Sequence, residues 1–442
     1  MILSGWGRFP LADCQVRRPR DEAALRGEFA AAGEGLIARG NGRAYGDSAL
    51  NPQATIDMRG FNRILGFDTA SGQVIAEAGV LLADLIDVFL PRGWFPAVTP
   101  GTKFVSIGGA IAADVHGKNH HKHGSFGACV DWIDVLTADG VVQRASRSDN
   151  ADLFAWTVGG MGLTGVILRA AIRLAPVESG WISQTMLPAP NLDTAMTLFE
   201  QAQDATYSVG WIDCLATGRS TGRSLVMLGE HAELAELGPR EREDRWLERR
   251  KRAKTIPIDF PSFVLNRFSV RSFNLLYYAN GLRQLGNALI DFDSFFYPLD
   301  AISEWNRIYG EKGFAQFQCV LPLEASRAGL RVLLAQIARA GEGSFLAVLK
   351  RMGHQESRFS FPMEGYTLAL DFPLRRTTPA LFGELERIAI DHGGRFYLAK
   401  DSQLTAERLR RADPRTEAFI QMRQVSRAAG RFHSLQSERL GL

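Results

Sequence analysis

The chain has 442 residues, 46% of them hydrophobic and 22% charged, and its 51 Lys plus Arg against 48 Asp plus Glu leave a net charge of +3. A chain of this size buries a full core without staples and is expected to form two to three domains, which excludes the disordered, collagen-like and disulfide-scaffold classes. So even a charge balance provides no general field for nucleic acid.

In chain order, the first part alternates strands and helices around three glycine clusters. Residues 36–38 are a short apolar run entering the first cluster, Gly33, Gly35, Gly40, Gly42 and Gly46. Residues 73–78 read as a strand and 81–90 as a helix that stops before Pro91. The second cluster holds Gly101, Gly108, Gly109, Gly117, Gly124 and Gly127. After it come a strand over 130–137, a turn at Ala138-Asp139-Gly140 and a returning strand. Residues 149–158 read as a capped helix ending at Gly159, which opens the third cluster with Gly160, Gly162 and Gly165. Residues 163–174 are a long β-rich run. Glycine clustered between β-branched runs marks backbone that bends sharply or lies close to a ligand.

From Ser179 glycine thins and aromatics rise. Strands over 207–213, 315–321, 345–350 and 366–372 alternate with helices over 324–340 and 378–392. The expected fold class is α+β. Residues 1–178 form a first unit, and 179–394 a second domain with a mostly antiparallel sheet flanked by helices. Residues 395–442 return as strand then helix to the first unit. Residues 240–254 carry eight basic and four acidic side chains. They read first as a solvated charged face, and second as a basic arm that meets an anionic phosphate or lipid surface. With the aromatic run after them, residues 240–275 would then form a lid near a lipid-linked substrate.

Cys14, Cys129, Cys214 and Cys319 lie far apart with no CxxC pair. They read as buried thiols in a reducing compartment, not as zinc ligands. No basic-then-apolar leader opens the chain and no run reaches ~18 apolar residues. The expectation is a soluble cytoplasmic protein, with peripheral membrane contact left open.

Three segments carry chemistry. Ala38-Arg39-Gly40-Asn41-Gly42-Arg43-Ala44-Tyr45-Gly46-Asp47-Ser48 comes after an apolar strand, where consecutive backbone N–H groups can cradle a diphosphate. It lacks both the Walker ending and the Rossmann spacing. The second runs from Pro100-Gly101-Thr102 through Ser106-Ile107-Gly108-Gly109-Ala110-Ile111-Ala112-Ala113-Asp114-Val115-His116-Gly117-Lys118-Asn119-His120-His121. Its small residues let a planar ligand lie against backbone. Its histidines sit in no zinc pattern, so no metal is expected. The third, residues 158–167, turns a helix into a strand through glycine.

Together these segments resemble the PCMH-type FAD-binding domain of the vanillyl-alcohol-oxidase superfamily. The likeness is closest to its decaprenylphosphoryl-β-D-ribose 2-oxidase family, flavoenzymes of arabinan precursor synthesis. GWGR at 5–8, RGNGRAYGD at 39–47, HGKNHH at 116–121, GSFG at 124–127, FFYPLD at 295–300, EWNRIYG at 304–310 and AKDS at 399–402 occur in that order. The resemblance implies that residues 38–48 hold the diphosphate of FAD. Gly101, Ser106, Ile107, Gly108, Gly109, Ala113, Asp114, Val115, His116, Ile167 and Tyr397 would complete that site. Many members tether flavin through a histidine after the first GxG; Arg43 stands there, so FAD is expected to be non-covalent. Lys118, Gln316, Gln318, Lys350, Ala369 and Lys400 match positions on the substrate side, Ala369 replacing a cysteine of mycobacterial members. Lys400, His116 and Tyr397 would be the catalytic group.

The activity implied is oxidation of a sugar secondary alcohol to a ketone. The substrate would be the 2-hydroxyl of a polyprenyl-phosphoryl pentose, in the first half of a 2'-epimerisation. A short-chain dehydrogenase/reductase partner and a quinone or other electron acceptor are implied with it. The alternatives are a sugar-lactone or alditol oxidase acting on a free sugar, and a non-catalytic flavin electron-transfer subunit. The residue types fit alcohol oxidation. A lysine or histidine beside the hydroxyl can take its proton or stabilise the oxyanion, and period two puts Gln316 and Gln318 on one strand face. Lys400 is expected to end a short strand-like run, 396–399, with Asp401 on the opposite side.

Overall fold

The computed structural model describes every residue except 34, 248–253 and 262. Arg249, Arg250 and Lys251 of the basic run therefore lie outside the described residues. The secondary structure is mixed α+β, and both large sheets are antiparallel throughout.

Near the N-terminus three short strands, β1 (Val16–Arg17), β2 (Ile37–Arg39) and β3 (Thr55–Asp57), pair in parallel in the order β1-β3-β2. The first large sheet is built from β4 (Ile64–Asp68), β5 (Gln73–Glu77), β6 (Trp94–Pro96), β7 (Val130–Leu136), β8 (Val142–Ser146) and β9 (Val166–Pro176). Its order is β8-β7-β9-β5-β4, with β6 pairing the end of β9. Helices α1 (Leu82–Phe89) and α2 (Ile107–Ala112) cover it, and Leu82, Leu85, Ile107 and Ile111 share a core with Val74, Ile133 and Ala170. The expected turn at 138–140 joins β7 to β8. The expected helix before Gly159 is α3 (Ala151–Thr157). Gly159 comes next at φ +79°, the left-handed conformation that ends a helix without strain.

The second sheet has eight strands: β10 (Trp181–Ala189), β11 (Tyr207–Ile212), β12 (Ser224–His231), β13 (Gly286–Asp291), β14 (Phe314–Pro322), β15 (Ala347–Met352), β16 (Gly365–Pro373) and β17 (Arg395–Phe396). Their order is β13-β10-β12-β11-β15-β16-β14-β17. Helices α4 (Leu192–Gln201), α5 (Arg267–Gly281), α6 (Leu323–Ala340) and α7 (Thr378–Asp391) flank it. The registers Gln316↔Asp371 and Gln318↔Ala369 set those four residues on one face. Phe317 and Cys319 point the other way, into a core with Leu330, Leu333, Phe382 and Leu385 of α6 and α7. One face is packed and the other is left to line a cavity.

The C-terminal segment departs from expectation. Its strand, β17, pairs with β14 in the second sheet. Beyond that strand the turn 397–401 and the helices α9 (Arg415–Val425) and α10 (Leu435–Leu440) reach the first unit, whereas α8 (Ala406–Ala412) packs on α7, where Arg408 ion-pairs with Glu386 at 2.6 Å. His433 N–H bonds the Leu36 carbonyl at 2.9 Å, and the buried Arg423 donates to the Leu163 carbonyl at 3.2 Å. Arg439 ion-pairs with Asp47 at 2.8 Å and Asp401 at 2.9 Å. All four cysteines are buried and free.

Candidate active site

A cavity of about 460 Å³ lies between the two large sheets. One wall is rich in backbone: glycine and small residues of 38–46, 99–102, 105–106, 108–109 and 161–167 line it, with Arg39, Asn41, Arg43, Tyr45, Met161 and Ile167 set among them. The GWGR segment explains how the first loop is held. Trp6 N–H donates to the Ala44 carbonyl at 2.8 Å and Gly7 N–H to the Tyr45 carbonyl at 3.0 Å. A Cβ at Gly5 would stand 2.3 Å from the Gly46 carbonyl, so only glycine allows the approach. On its other side the loop meets the AKDS turn. Tyr45 N–H donates to the Ala399 carbonyl at 2.9 Å, and a Cβ at Gly46 would lie 2.0 Å from the Asp401 carbonyl.

The opposite wall is side chains, and all six expected substrate-side residues line it: Lys118, Gln316, Gln318, Lys350, Ala369 and Lys400. Lys400 lies in a turn, not at the end of a strand run. β17 stops at Phe396, and Lys400 N–H closes onto the Tyr397 carbonyl at 2.9 Å. The turn sets the Lys400 ammonium over the Tyr45 ring, 3.4 Å from its centroid. Burial pulls the Lys400 pKa below its ordinary value, with Asp371 opposing and Lys350 adding to the fall. Burial likewise raises the Asp371 pKa, against the Gln316 amide that donates to it and the nearby Lys400. Lys118 falls to about 7 and Lys350 to about 8, both chiefly through burial. Lys118 donates to the Phe295 carbonyl and sits 4.1 Å from the Phe295 ring centroid. Among the described residues neither Lys118 nor Lys350 has a carboxylate partner.

His116 is fixed by a chain of donors. The Thr367 hydroxyl donates to the Cys319 carbonyl at 2.8 Å, so its oxygen accepts the Gln318 amide N–H at 3.3 Å. That orientation turns the same Gln318 nitrogen to His116 Nε2 at 3.1 Å. His116 Nε2 is then the acceptor and its proton resides on Nδ1, which is buried without a partner. Burial first, then the neighbouring Lys350, His120 and Lys400, hold the imidazole well below its usual pKa and neutral.

Four sequence expectations change. Asp47, Ile107 and Asp114 sit behind the wall and do not line the cavity. Asp47 pairs with Arg439, and Ile107 is core. Asp114, at φ +41°, accepts from Ser125 Oγ at 2.6 Å, Gly127 N–H at 2.8 Å and the Gln355 amide at 3.0 Å. This explains the GSFG motif as a grip on a buried carboxylate. Tyr397 does line the cavity, but its hydroxyl is committed to the Ala113 carbonyl at 3.0 Å. It holds the end of α2 and has no proton to give. The histidines after His116 are engaged too: His120 with Gln355 at 2.8 Å and His121 with the Ala205 carbonyl at 2.8 Å.

The sequence reading missed Asp371, Trp211, Tyr277 and Met227, which also line the cavity. Alternation through Thr367 and Ala369 leads straight to Asp371. Trp211 lies across from Val348, and Val348 from Ala369, so the same sheet face extends the polar wall into an apolar one.

Three buried polar atoms of cavity residues lack partners: Arg43 Nε, His116 Nδ1 and Gln316 Oε1. Two donors, one acceptor and a lining of bare glycine backbone suit a ligand with a diphosphate and a planar heteroaromatic ring. Residues 14–146 match the family model described as an FAD binding domain. The chain is 37% identical over 452 aligned residues to decaprenylphosphoryl-beta-D-ribose oxidase of Mycolicibacterium smegmatis, across 100% of this chain and 97% of that protein. The chain belongs to the decaprenylphosphoryl-β-D-ribose oxidase family. It is an FAD-dependent oxidoreductase. An uncharacterised Streptomyces coelicolor protein is 33% identical over 374 residues, 82% of this chain and all of that one. Likeness to L-gulonolactone oxidase of Bos taurus, 34% over 137 residues, reaches 31% of either chain. The oxidase family match thus spans both walls of the cavity.

Proposed function

We propose that this oxidoreductase oxidises the 2-hydroxyl of a polyprenyl-phosphoryl pentose to a ketone, with FAD held non-covalently against residues 38–48. On this reading residues 1–178 are the FAD-binding unit, 179–394 the substrate domain and 395–442 a strap back to the first. A separate short-chain dehydrogenase/reductase would complete the epimerisation, and a quinone or similar acceptor would reoxidise the enzyme.

The observation that carries the reading is the side-chain wall. Lys118, Lys350 and Lys400 face one cavity with Asp371 as the nearby carboxylate, and Trp211, Tyr277 and Met227 continue that wall as an apolar surface. A phosphate flanked by sugar and isoprenoid matches that order of charge and grease. Bound FAD supplies the two-electron acceptor. The protein's own task is the hydroxyl proton. Burial makes the neutral amine of Lys400 accessible, so Lys400 accepts that proton and then stands as a cation beside the new carbonyl oxygen. Asp371, held by Gln316, offsets the charge that develops on Lys400. His116, held neutral with its proton on the buried Nδ1, is fixed through Nε2 by Gln318 beside the lysines. Lys118 and Lys350 supply point charges for the phosphate.

The free-lactone reading draws on the L-gulonolactone oxidase likeness, which covers 31% of this chain. Anaerobic bleaching of the bound flavin separates the two. Farnesyl-phosphoryl ribose should bleach it and free sugar lactones should not. Bleaching by lactones alone would overturn the proposal, and no bleaching by any sugar alcohol would favour an electron-transfer subunit.

A further inference from the structure

Helix α5 is amphipathic with its apolar side outward. Val270, Asn274 and Gly281 face the sheet, and Gly281 packs so close to Leu225 of β12 that a Cβ there would meet that side chain at 2.2 Å. The opposite stripe falls at i, i+7, i+8 and i+14: Phe268 is 80% exposed, Leu275 47%, Leu276 71% and Leu282, just past the helix, 43%. A buried helix face needs no explanation, but a solvent-facing one of this kind does, because monomeric proteins rarely leave such patches contiguous. Residues 260–290 hold no Asp or Glu and three arginines, Arg267, Arg271 and Arg283. All three are exposed. On a helical wheel Arg271 flanks the apolar stripe, and Arg283 follows Leu282 just past the helix end, where long cationic side chains reach past an apolar surface to phosphate headgroups. The inner side of the same helix carries Tyr277, which lines the active-site cavity and packs against Trp211 with the rings tilted, centroids 4.7 Å apart.

We infer that α5 seats on an anionic bilayer surface, its outer stripe entering the acyl boundary and its arginines meeting headgroup phosphates. This rests on the lipid-linked substrate of the proposed function and deepens it. A substrate whose sugar enters beside Tyr277 could leave its isoprenoid tail in the bilayer beneath α5. An apolar stripe without acidic residues suits a lipid surface better than an acidic or mixed protein face. Among the described residues no helix is long and apolar enough to cross a membrane, so the contact is peripheral.

The test is co-sedimentation of the FAD-loaded protein with phosphatidylcholine vesicles containing 30% phosphatidylglycerol, beside pure phosphatidylcholine. The protein should pellet with the anionic vesicles and be released by salt. The double variant Phe268→Ser/Leu276→Ser should weaken binding at least ~10-fold. Arg271→Gln/Arg283→Gln should weaken it roughly 30-fold on anionic vesicles and little on neutral ones. Both variants should bleach normally with a water-soluble short-chain substrate, because none of the four side chains lines the cavity. Failure to pellet, or binding indifferent to both variants, would overturn the inference. So would a solution dimer that Phe268→Ser/Leu276→Ser splits, which would give the face to a second copy. Vesicle binding with no bleaching by any prenyl-phosphoryl sugar would instead retire the substrate assignment and leave the surface standing.

Discussion

The wall formed by residues 38–46 and 99–109 is mostly glycine and small residues, with Arg39, Asn41, Arg43 and Tyr45 set among them, whereas the wall on β14, β15 and β16 is built from Gln316, Gln318, Lys350 and Asp371. The first is shaped by what glycine permits: the loop is clamped between Gly5 and the Asp401 carbonyl with no room for a Cβ. The second is shaped by register, because residues directly opposite in an antiparallel sheet must share a face. A backbone wall can hold a large cofactor of fixed shape. A side-chain wall can carry charge, shift a pKa and change from relative to relative without disturbing the fold. The contrast predicts that damage to the first wall is lost cofactor and damage to the second is lost chemistry with the cofactor still in place.

The largest effects should come from breaking each wall at its tightest point. Gly46→Ala places a methyl 2.0 Å from the Asp401 carbonyl, so the purified variant should retain little FAD and melt at lower temperature. Full flavin occupancy would show that the loop yields more than its contacts imply. Lys400→Ala should keep FAD and its melting temperature while flavin reduction slows by at least ~10²-fold. Near-normal bleaching there would move the role to His116 or Lys118.

The match between sequence and structure divides along the same line. The glycine clusters, α1, α3 and the strands over 130–136 and 314–322 were legible because local periodicity and turn chemistry determine them. Asp47, Ile107 and Asp114 were placed one layer too far forward, since a motif shows which segment nears a ligand but not which side chains turn away. Strands β10, β12 and β13 escaped notice: β10 carries a proline, Pro188, next to its last residue, and β13 is an edge strand whose first three residues are exposed. Asp371 was within reach, two residues beyond Ala369 on one face. Tyr277 and Trp211 were not, because only sheet order brings β11 and α5 to the cavity.

A smaller effect sharpens the second wall. Asp371 holds the Lys400 pKa up against burial, so Asp371→Asn should lower it further. The rise of flavin reduction with pH should move to lower pH, with the plateau rate reduced roughly tenfold. A shift to higher pH would mean that the two groups are not coupled as described. The smallest effect belongs to Arg43, whose guanidinium lies over the Trp6 ring, 4.0 Å from its centroid, at the position where the family resemblance puts a tethering histidine. Acid precipitation should release all FAD to the supernatant, and Arg43→Ala should weaken FAD retention several-fold while leaving bleaching of the loaded enzyme within about twofold. Colour left in the washed pellet would reveal a covalent link.

The proposed chemistry requires Lys400 to take and give a proton, not merely to carry charge. Lys400→Arg keeps a cation at that place but cannot release a proton near neutral pH. Stopped-flow flavin reduction under anaerobic conditions, with farnesyl-phosphoryl ribose across pH 5 to 10, tests this most directly. The parent enzyme should speed up as pH rises through a range below an ordinary lysine's pKa, because deprotonation supplies the base. Lys400→Arg should hold FAD, bind substrate and stay slow at every pH. A Lys400→Arg variant that reduces its flavin at the parent rate with the parent's pH profile would contradict that role for Lys400.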